Sequence, residues 1–325
     1  MMKSLLTLLM VLCITVLSFG QAGNDRLDEI KKASVKEGDG WVRGAGVGLD
    51  FAQLALINPR FGSGENRIGF GGLGNVFANY KKNNIYWMNS ASLQLSIQKN
   101  GISSNPFLKN LDRFLLASKI GKKLNDKWGL ALDGGIETQL TPTYQGNILK
   151  PVNGESLIAN IFAPATIRLS LGVDYFANPH LTFFFSPASL KMIYISDQAI
   201  ADLGTFGTQK NDNGIGYKKS DTQLGATVKG IYTNKYFGDK LAVNSVLDLY
   251  SNYLRNPQNI DVNWHNDFTW NIWKGLGLNL AVDVLYDDDI FVQVDRNKNG
   301  IYEPGEQGKR ATVIQALLLK YNLIF

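Results

Sequence analysis

Residues 311–325, at the carboxyl end of the chain, read ATVIQALLLKYNLIF and decide the fold class. Counted back from the last residue, Asn322 and Lys320 fall on one face of an extended chain. The opposite face is apolar or aromatic and carries Phe325, Leu323, Tyr321, Leu319, Leu317 and Val313. Because successive side chains of a strand point to opposite sides, this alternation predicts a β-strand with one apolar and one polar face. A long strand of this kind, ending in an aromatic residue, is typical of the last strand of an outer-membrane barrel.

The same two-residue period recurs along nearly the whole chain. In residues 85–98, for example, Trp87 and Leu95 share one face, whereas Ser92 and Gln94 share the other. The predicted strands cover residues 41–57, 67–81, 85–98, 111–123, 127–140, 160–176, 180–196, 221–233, 240–252, 260–272, 276–286 and 311–325. Most are about 10 to 16 residues long, which is longer than the strands of a soluble sandwich and sufficient to cross a bilayer at a tilt.

The connections between these strands alternate in length. Long connections cover residues 58–66, 99–110, 141–159, 197–220, 253–259 and 287–310. Short turns cover residues 82–84, 124–126, 177–179, 234–239 and 273–275. Outer-membrane barrels have short periplasmic turns, longer outer loops and, in most cases, an even number of strands. The sequence therefore predicts an all-β protein, a transmembrane antiparallel up-and-down β-barrel of about 12 strands, in contact with the lipids of the cell outer membrane.

The amino-terminal region predicts export from the cytoplasm. Lys3 supplies a positive charge, residues 5–17 form an apolar run, and residues 18–20 include the small residues expected before a cleavage site. We therefore expect residues 1–20 to be a signal peptide, 21–40 a periplasmic lead-in and 41–325 the barrel. The apolar run is shorter than the ~20 residues that a membrane-spanning helix requires. The single cysteine, Cys13, lies inside it, so no disulfide is expected in the mature chain.

The composition agrees with this class of protein. Hydrophobic residues make up 45% of the chain, charged residues only 19%, and there are 33 glycines. Strands with one apolar and one polar face give such an intermediate hydropathy. The net charge is +5, but the basic residues are scattered and do not form a run. We therefore expect no nucleic-acid partner.

Aromatic residues lie near the ends of many predicted strands, namely Trp41, Tyr80, Trp87, Trp128, Tyr175, Tyr232, Trp270 and Tyr321. In membrane barrels, amphipathic rings gather at the two membrane–water interfaces. The pattern therefore predicts that these residues belong to the two interfacial girdles. Ordinary aromatic residues of a sheet are the alternative interpretation.

Short motifs are spread over most of the mature chain. They are Gly40-Trp41, Phe51-Ala52-Gln53, Ala78-Asn79-Tyr80-Lys81-Lys82, Leu111-Asp112, Glu137-Thr138-Gln139, Phe162-Ala163-Pro164-Ala165, Ser186-Pro187 and Asp197-Gln198. In these motifs the chain resembles an uncharacterised Bacteroidota outer-membrane β-barrel family, known as a domain of unknown function. The resemblance implies location and origin, and it implies no catalytic residue. After Ile57 the chain departs from the family, because residues 58–62 replace an Asn-Trp pair and paired glycines.

One loop carries a pattern for metal binding. Residues 295–306 read DRNKNGIYEPGE and match the calcium-loop pattern D-x-[DN]-x-[DN]-G-x5-E at every fixed position. The expected ligands are side-chain oxygens of Asp295, Asn297 and Asn299, the carbonyl of Ile301 and the bidentate carboxylate of Glu306. We expect Ca²⁺ to bind outside the cell in the weak range of ~10⁻⁴ to 10⁻³ M. A polar hairpin loop without metal is the alternative.

Charged and polar residues at the inward positions predict a lumen that carries both signs of charge. They are Arg113, Asp133, Glu137, Arg168, Asp174, Lys229, Asp248, Asp261, His265, Asp267 and Asp283. One interpretation is a narrow channel or transporter for small polar solutes. The other is a structural or accessory barrel, closed by its own ion pairs, whose outer loops dock an envelope protein partner. The predicted strand number leaves both open, because it lies between small filled barrels and wide porins.

A lipid hydrolase is the remote alternative. The outer-membrane phospholipase is a calcium-dependent barrel with the same strand count, and similarity to it implies a Ser/His/Asn site. Only His180 and His265 are available as imidazole bases, and neither a G-x-S-x-G elbow nor a His/Cys metal cluster occurs. His180 is predicted beside a periplasmic turn and His265 in the lumen, whereas the phospholipase presents its site to lipid. We therefore expect no enzyme activity.

Overall fold

The computed structural model describes residues 39–54, 67–100, 106–273, 276–287, 292–293 and 307–324. Three regions predicted from the sequence fall outside these residues. They are the signal peptide at 1–20, all but the last two residues of the lead-in at 21–40, and the calcium loop at 295–306. Within the described ranges, no helix is long and apolar enough to cross a membrane.

Twelve long strands form one closed antiparallel barrel. In chain order the strands are β1 (Gly40–Leu54), β2 (Arg67–Lys82), β3 (Ile85–Asn100), β4 (Phe107–Lys123), β5 (Trp128–Thr138), β6 (Thr143–Tyr144), β7 (Leu157–Ala159), β8 (Ala165–Asn178), β9 (Leu181–Tyr194), β10 (Ser220–Tyr236), β11 (Leu241–Asn252), β12 (Asp261–Trp273), β13 (Leu276–Tyr286), β14 (Val292–Gln293), β15 (Gln307–Gly308) and β16 (Thr312–Ile324). The ring order is β1-β16-β13-β12-β11-β10-β9-β8-β5-β4-β3-β2, and β6-β7 and β14-β15 form two small separate pairs. The prediction of an up-and-down barrel of about twelve strands is confirmed.

The barrel closes between its first and last strands. β1 and β16 pair from Gly46 opposite Ile324 to Asp50 opposite Lys320. Closure removes both free edges of the sheet, where unpaired N–H and C=O groups would be costly in lipid. The alternating stretch at the carboxyl end is therefore the strand that seals the wall.

The prediction of a strand from residue 160 is wrong at its start, because β8 begins at Ala165. The preceding residues belong to an outer loop, in which Asn160 and Ala163 exchange two backbone hydrogen bonds of 2.9 Å. Between them, Phe162 has a φ of 53°, a left-handed conformation that interrupts an extended strand. Pro164 then lacks the N–H that a ladder needs. The outer loop is accordingly longer than the predicted 141–159.

Two further boundaries differ from the prediction. β10 continues to Tyr236, so the turn predicted at residues 234–239 is confined to 237–240. β4 begins at Phe107, four residues earlier than the predicted start at 111. Three consecutive residues with φ between 57° and 65° reverse the chain in the short turn after β10, namely Phe237, Gly238 and Asp239.

The outer surface of the barrel wall is apolar. Leu130 and Leu132 on β5, Leu169 and Leu171 on β8 and Val76 on β2 are all exposed. A continuous apolar band of this kind suits contact with lipid and not with water. The barrel strands are 11 to 17 residues long, so each is sufficient to cross a bilayer. The barrel therefore spans a membrane.

The aromatic residues predicted for two girdles all lie at one end of the barrel, so that prediction is wrong. Tyr80 pairs with both Trp41 and Trp87, and Trp128 pairs with Tyr175. The ring centroids of Trp128 and Tyr175 are 4.6 Å apart, and those of Trp41 and Tyr80 are 5.2 Å apart. The others occupy the same short-turn end, namely Tyr232, Trp270 and Tyr321. Even spacing along the sequence cannot distinguish one end from the other. Exposed rings at the long-loop end are fewer in the described part, and they include Phe70, Phe107, Tyr194 and Trp264.

Two outer loops pack together at the long-loop end. Residues 195–219 contain one turn of helix, α1 (Gln198–Ala201), and Asp197 caps it by accepting from the Ala199 backbone N–H at 2.8 Å. A fully buried apolar cluster joins this loop to residues 139–164. It consists of Ala163, Ile195, Ile200 and Ala201, with Leu157 and Phe206 packed against it. The outer end of the lumen is therefore bordered by folded loops.

Candidate functional site

The polar faces of the strands line the inside of the barrel. The register shows the alternation directly, because Lys229 lies opposite Asp248, and Asn244 lies opposite Asp267. These inward side chains surround a cavity of about 1760 Å³. The cavity follows the inner wall from β2 through β5 and from β8 through β13. It is the candidate functional site.

Ten of the eleven residues predicted to face the lumen line this cavity. The remaining residue, Asp267, is buried on β12 two positions beyond His265. The ten lining residues are Arg113, Asp133, Glu137, Arg168, Asp174, Lys229, Asp248, Asp261, His265 and Asp283. The structure thus brings the predicted set together in one compartment.

Four of these residues form two ion pairs at the lumen wall, and a fifth, Asp283, lies in the same compartment. Arg113 Nη2 donates to Glu137 Oε2 at 2.7 Å, between the adjacent strands β4 and β5. Arg168 on β8 lies 3.5 Å from Asp248 on β11, three strands away. Asp283 of β13 lines the same cavity. We refer to Arg113, Glu137, Arg168, Asp248 and Asp283 as the charged ring.

A second layer of ion pairs lies nearer the short-turn end. Lys229 Nζ is 3.1 Å from Asp133 Oδ2 and 4.0 Å from Asp248 Oδ2, and it joins this layer to the charged ring. Lys119 Nζ donates to Asp174 Oδ1 at 2.5 Å, and the Tyr86 hydroxyl donates to the other oxygen of this carboxylate. Asp174 is almost fully buried, so its charge requires these partners.

His265 lies between two carboxylates in the wall formed by β12 and β13. One ring nitrogen, Nδ1, contacts Asp283, and Nε2 lies 3.6 Å from Asp267 Oδ2. Asn279 donates to Asp267 and also donates to Thr269 Oγ1 at 2.9 Å. The two ring-nitrogen contacts join the histidine to carboxylates on either side of it. The arrangement places one imidazole and two carboxyl groups together in the barrel wall.

His180 is far from this cluster. It follows the short turn between β8 and β9, and its Nδ1 is 3.2 Å from the backbone oxygen of Thr233. This placement at the short-turn end is the one that the sequence predicts. The two histidines therefore belong to separate sets of contacts.

The cavity extends to both ends of the barrel. At the short-turn end it is lined by Asn83, Asn84, Asp126 and Pro179. At the long-loop end it is lined by Gln145, Asn147, Leu203, Thr205, Phe206 and Asp287. Residues at the short-turn end and at the long-loop end therefore line the same cavity, with the ion pairs between them.

The loop that borders the outer end has its own polar anchor. The Tyr217 backbone N–H donates to Asp202 Oδ1 at 2.9 Å, and Gln198 Nε2 donates to the same atom at 2.8 Å. These hydrogen bonds, chiefly the one from Tyr217, lower the pKa of the Asp202 carboxyl below its ordinary value. The ionised carboxylate thus holds residues 195–219 in their folded arrangement.

The sequence interpretation missed several residues of the lumen. Lys191 on β9 lies 3.9 Å from Asp261, and its Nζ lies 5.4 Å from the ring centroid of Tyr250. The pairing of β8 with β9 shifts register between Leu171 and Val173, and the irregularity disturbs the two-residue period on which the prediction depended. Tyr86, in contrast, alternates regularly with its outward neighbours and could have been found from the sequence.

Metal ligands are a separate question. Within the described ranges, no group of three or more His, Cys, Asp or Glu side chains is arranged to hold a metal ion. The predicted calcium ligands all lie outside the described residues, so calcium binding stays a prediction. They are Asp295, Asn297, Asn299, Ile301 and Glu306.

These features define the class of protein. A closed barrel of twelve antiparallel strands, apolar outside and charged inside, is the architecture of an outer-membrane β-barrel. The chain is an outer-membrane protein of this class. Its short turns face the periplasm and its long loops face outward, as in other barrels of this class.

Comparison with known families gives one match. Residues 51–144 match the family described as Protein of unknown function (DUF3078). The matched stretch includes Phe51-Ala52-Gln53, Leu111-Asp112 and Glu137-Thr138-Gln139, so the resemblance to an uncharacterised family is confirmed over these residues. No curated protein sequence matches the chain.

Two solved structures illustrate the overall likeness. The translocator domain of the autotransporter NalP from Neisseria meningitidis is 9% identical, with a TM-score of 0.40 over 91% of this chain and 93% of that chain. An outer membrane channel from Pseudomonas putida F1 is 11% identical, with a TM-score of 0.41 over 89% of this chain and 97% of that chain.

Proposed function

We propose that the protein is a narrow outer-membrane channel for small polar solutes. The observation that carries this proposal is the cavity whose lining includes residues of both the short turns and the long outer loops. Its wall carries both signs of charge, which suits hydrated polar solutes better than lipids or apolar molecules. The proposal involves no enzymatic step.

The ion pairs support a narrow channel, as opposed to a wide pore. Lys229 and Asp133 are three strands apart in the ring, as are Arg168 and Asp248. Side chains that meet over such a distance fill part of the lumen along this side of the wall. The folded outer loops restrict the outer end further. Passage is therefore expected for small solutes only.

Single-channel recording in planar bilayers tests the proposal. The purified protein should give a small, reproducible conductance. Arg168 is the best residue to vary, because about half of its side chain is open to the lumen (48%) and it blocks part of the path. Arg168→Ala should raise the conductance and make the channel more cation-selective, because it removes both bulk and positive charge.

The next residue on the same strand provides a matched control. Leu169 points to lipid and is 48% exposed on the outside of the barrel. Leu169→Ala should leave conductance and selectivity unchanged. Absence of conductance over a wide voltage range would overturn the channel proposal.

The second candidate is an accessory barrel whose outer loops dock an envelope protein. The observation that favours it is the apolar surface on those loops, where Ile215 is 77% and Val152 67% exposed. On this proposal the lumen is sealed, and the loops at residues 139–164 and 195–219 form the functional surface. Two results together would favour this candidate. The first is the absence of conductance in the bilayer recording, and the second is the loss of a co-purifying envelope protein in the Ile215→Asp variant.

A further inference from the structure

Two pairs of adjacent lysines lie at the short-turn end of the barrel. Lys81 and Lys82 end β2, and Lys122 and Lys123 end β4. Lys81 and Lys123 line the cavity. Because successive side chains of a strand point to opposite faces, Lys82 and Lys122 point away from the lumen. Each of these two strand ends therefore carries one cation inside the barrel and one outside.

The register brings the two outward lysines together. Lys82 lies opposite Ile85 of β3, and Ile85 lies opposite Lys122 of β4. The two lysines thus flank a single strand, and their Cα atoms are about 10 Å apart, because neighbouring strands are separated by ~4.8 Å. Both side chains are exposed. Their long, flexible stems allow the two ammonium groups to contact one anion that lies between them.

An aromatic row lies beside the lysines, on the side of the apolar band. It consists of Trp41, Tyr80 and Trp87, which are consecutive partners in the register of β1, β2 and β3. The ring centroids of Trp41 and Trp87 are 5.7 Å apart. Amphipathic rings of this kind gather where the hydrocarbon of a bilayer meets its headgroups. Lys82 lies two residues nearer the turn than Tyr80, so the outward lysines lie at the level of the headgroups.

A third cation belongs to the same surface. Arg43 of β1 is exposed, and its guanidinium carbon lies 5.7 Å from the ring centroid of Trp41, which is two residues nearer the short-turn end. Long basic side chains near a membrane edge extend in this way, so that the stem covers apolar surface and the charge stays in the polar layer. We refer to the three cations and the aromatic row as the basic patch, namely Arg43, Lys82, Lys122, Trp41, Tyr80 and Trp87.

The outward lysines have no carboxylate partner in the part of the chain that the structure describes. β2 and β3 contain no Asp or Glu, and the single acids of β1 and β4 lie toward the long-loop end of their strands. Neither Lys82 nor Lys122 forms an ion pair with another described residue, including Asp39 and Asp126 at the same end of the barrel. An anion from the surroundings is therefore attracted by both lysines at once.

We propose that the basic patch binds the phosphate headgroup of an anionic phospholipid in the periplasmic leaflet of the membrane. The acyl chains of this lipid lie along the apolar wall of β2 to β4, where Val76, Leu116 and Ile120 are exposed. A soluble anion gains only the attraction of the charges, and a zwitterionic lipid brings a cation of its own to the lysines. The site lies outside the lumen, so it does not depend on the proposed channel function.

Lipid retention tests the proposal. The purified barrel in nonionic detergent is incubated with equimolar phosphatidylglycerol and phosphatidylcholine that carry identical acyl chains, and native mass spectrometry counts the lipids that stay bound. The native protein should retain phosphatidylglycerol about tenfold over phosphatidylcholine, as expected when several basic residues act near one phosphate. Equal retention of the two lipids would overturn the proposal.

The four lysines provide matched variants. Lys82→Gln combined with Lys122→Gln removes the outward pair, and the preference should fall to about twofold. Lys81→Gln combined with Lys123→Gln removes the same charge at the same level from the inward face, and it should keep the native preference. Heat-modifiable gel mobility verifies that both double variants are assembled barrels. An equal loss in the two variants would show a diffuse attraction to the whole basic end and would overturn the assignment to the basic patch.

An acidic polypeptide is the other partner that a basic surface attracts. A poly-glutamate peptide in molar excess should not displace the bound phosphatidylglycerol, because it has no acyl chains to cover the apolar wall. Displacement of the lipid by this peptide would overturn the lipid assignment in favour of a soluble acidic partner.

Discussion

Lys229 Nζ lies 3.1 Å from Asp133 Oδ2, although β8 and β9 separate their strands in the barrel wall. The pair therefore joins two distant strands through the lumen and not along the hydrogen-bonded ladder. Both side chains are largely buried, with 26% and 21% of their surfaces exposed. An ion pair in this setting narrows the lumen and stabilises the closed wall at the same time.

The energy of this pair can be measured by a double-mutant cycle. Asp133→Asn and Lys229→Gln should each destabilise the barrel, and the coupling energy between them should be about 1 to 2 kcal/mol, above that of an exposed pair. Urea unfolding in lipid vesicles provides the free energies. Strictly additive effects would show that the two charges do not interact in the membrane-embedded protein.

Gly172 on β8 leaves no room for a side chain. A Cβ at this position would lie 2.1 Å from the carbonyl oxygen of Phe185, a backbone atom that cannot move aside. Gly172→Ala should therefore destabilise the barrel by about 3 kcal/mol or more, or prevent its assembly. Gly74 on β2 is the matched control, because no atom lies within 4 Å of a Cβ there. Gly74→Ala should fold as the native protein does, and equal stability of the two variants would contradict the prediction.

Two polar clusters with the same arrangement of Trp, Ser and Asn lie on the lipid-facing side of the barrel. In the first, Trp87 Nε1 donates to Ser118 Oγ at 3.0 Å, and Ser118 donates to Asn89 at 2.8 Å. Ser118→Ala should cost about 1 kcal/mol, because it leaves the indole N–H without its acceptor at the edge of the bilayer. Unfolding free energies in vesicles provide the measurement.

The second cluster provides a replicate. Trp264 Nε1 donates to Ser245 Oγ at 3.0 Å, and Ser245 donates to Asn266 at 2.7 Å. Ser245→Ala should show a loss similar to that of Ser118→Ala. Thr222, exposed on the outside of β10, makes no side-chain hydrogen bond to the described residues, so Thr222→Ala should be neutral. A loss as large for Thr222→Ala would indicate a general effect of hydroxyl removal.

Most of the fold was predictable because a lipid-facing wall enforces a strict two-residue period. The failures occur where another constraint acts. Phe162 adopts a left-handed conformation, and Pro164 lacks the N–H that a ladder needs. The alternation of polar and apolar residues reveals neither feature. The placement of the predicted aromatic residues at the short-turn end depends on which end of each strand carries a ring. To tell the two ends of the barrel apart, one needs the direction in which each strand crosses the membrane as well as the spacing of the aromatic residues.

The lumen residues were predictable as a set, but their partners were not. His265 contacts Asp283 because the register places them opposite each other on β12 and β13. A shift of two residues would keep both side chains inside and separate them. Alternation determines the face on which a residue lies, whereas contacts across the lumen depend on register and on the closed ring order.

The calcium loop remains a prediction from the sequence alone. Glu306→Gln should weaken Ca²⁺ binding roughly tenfold or more, because it removes the bidentate carboxylate, and it should not affect barrel assembly. Glu303→Gln is the matched control, because it removes the same charge from a residue expected to act through water. Calorimetry at millimolar Ca²⁺ gives the affinities. Identical heats of binding for the native protein and Glu306→Gln would contradict the predicted calcium site.

The loop at residues 195–219 should lose part of its order in acid. The pKa of Asp202 is lowered in the folded loop, chiefly by the hydrogen bond from the Tyr217 N–H. Its stabilising contribution is therefore fully present above the ordinary aspartate pKa of about 3.9. The contribution is lost as the pH falls through the lowered pKa, because the protonated carboxyl accepts these hydrogen bonds less strongly.

Hydrogen exchange at the Tyr217 amide, expressed as a protection factor to remove the intrinsic pH dependence, measures this effect. Protection should be constant at neutral and mildly acidic pH and should fall below the ordinary aspartate pKa. In Asp202→Asn, the amide oxygen still accepts from Tyr217 but does not titrate in this range, so protection should be lower at neutral pH and independent of pH. A native profile that is equally flat would show that the Asp202 charge does not hold the loop.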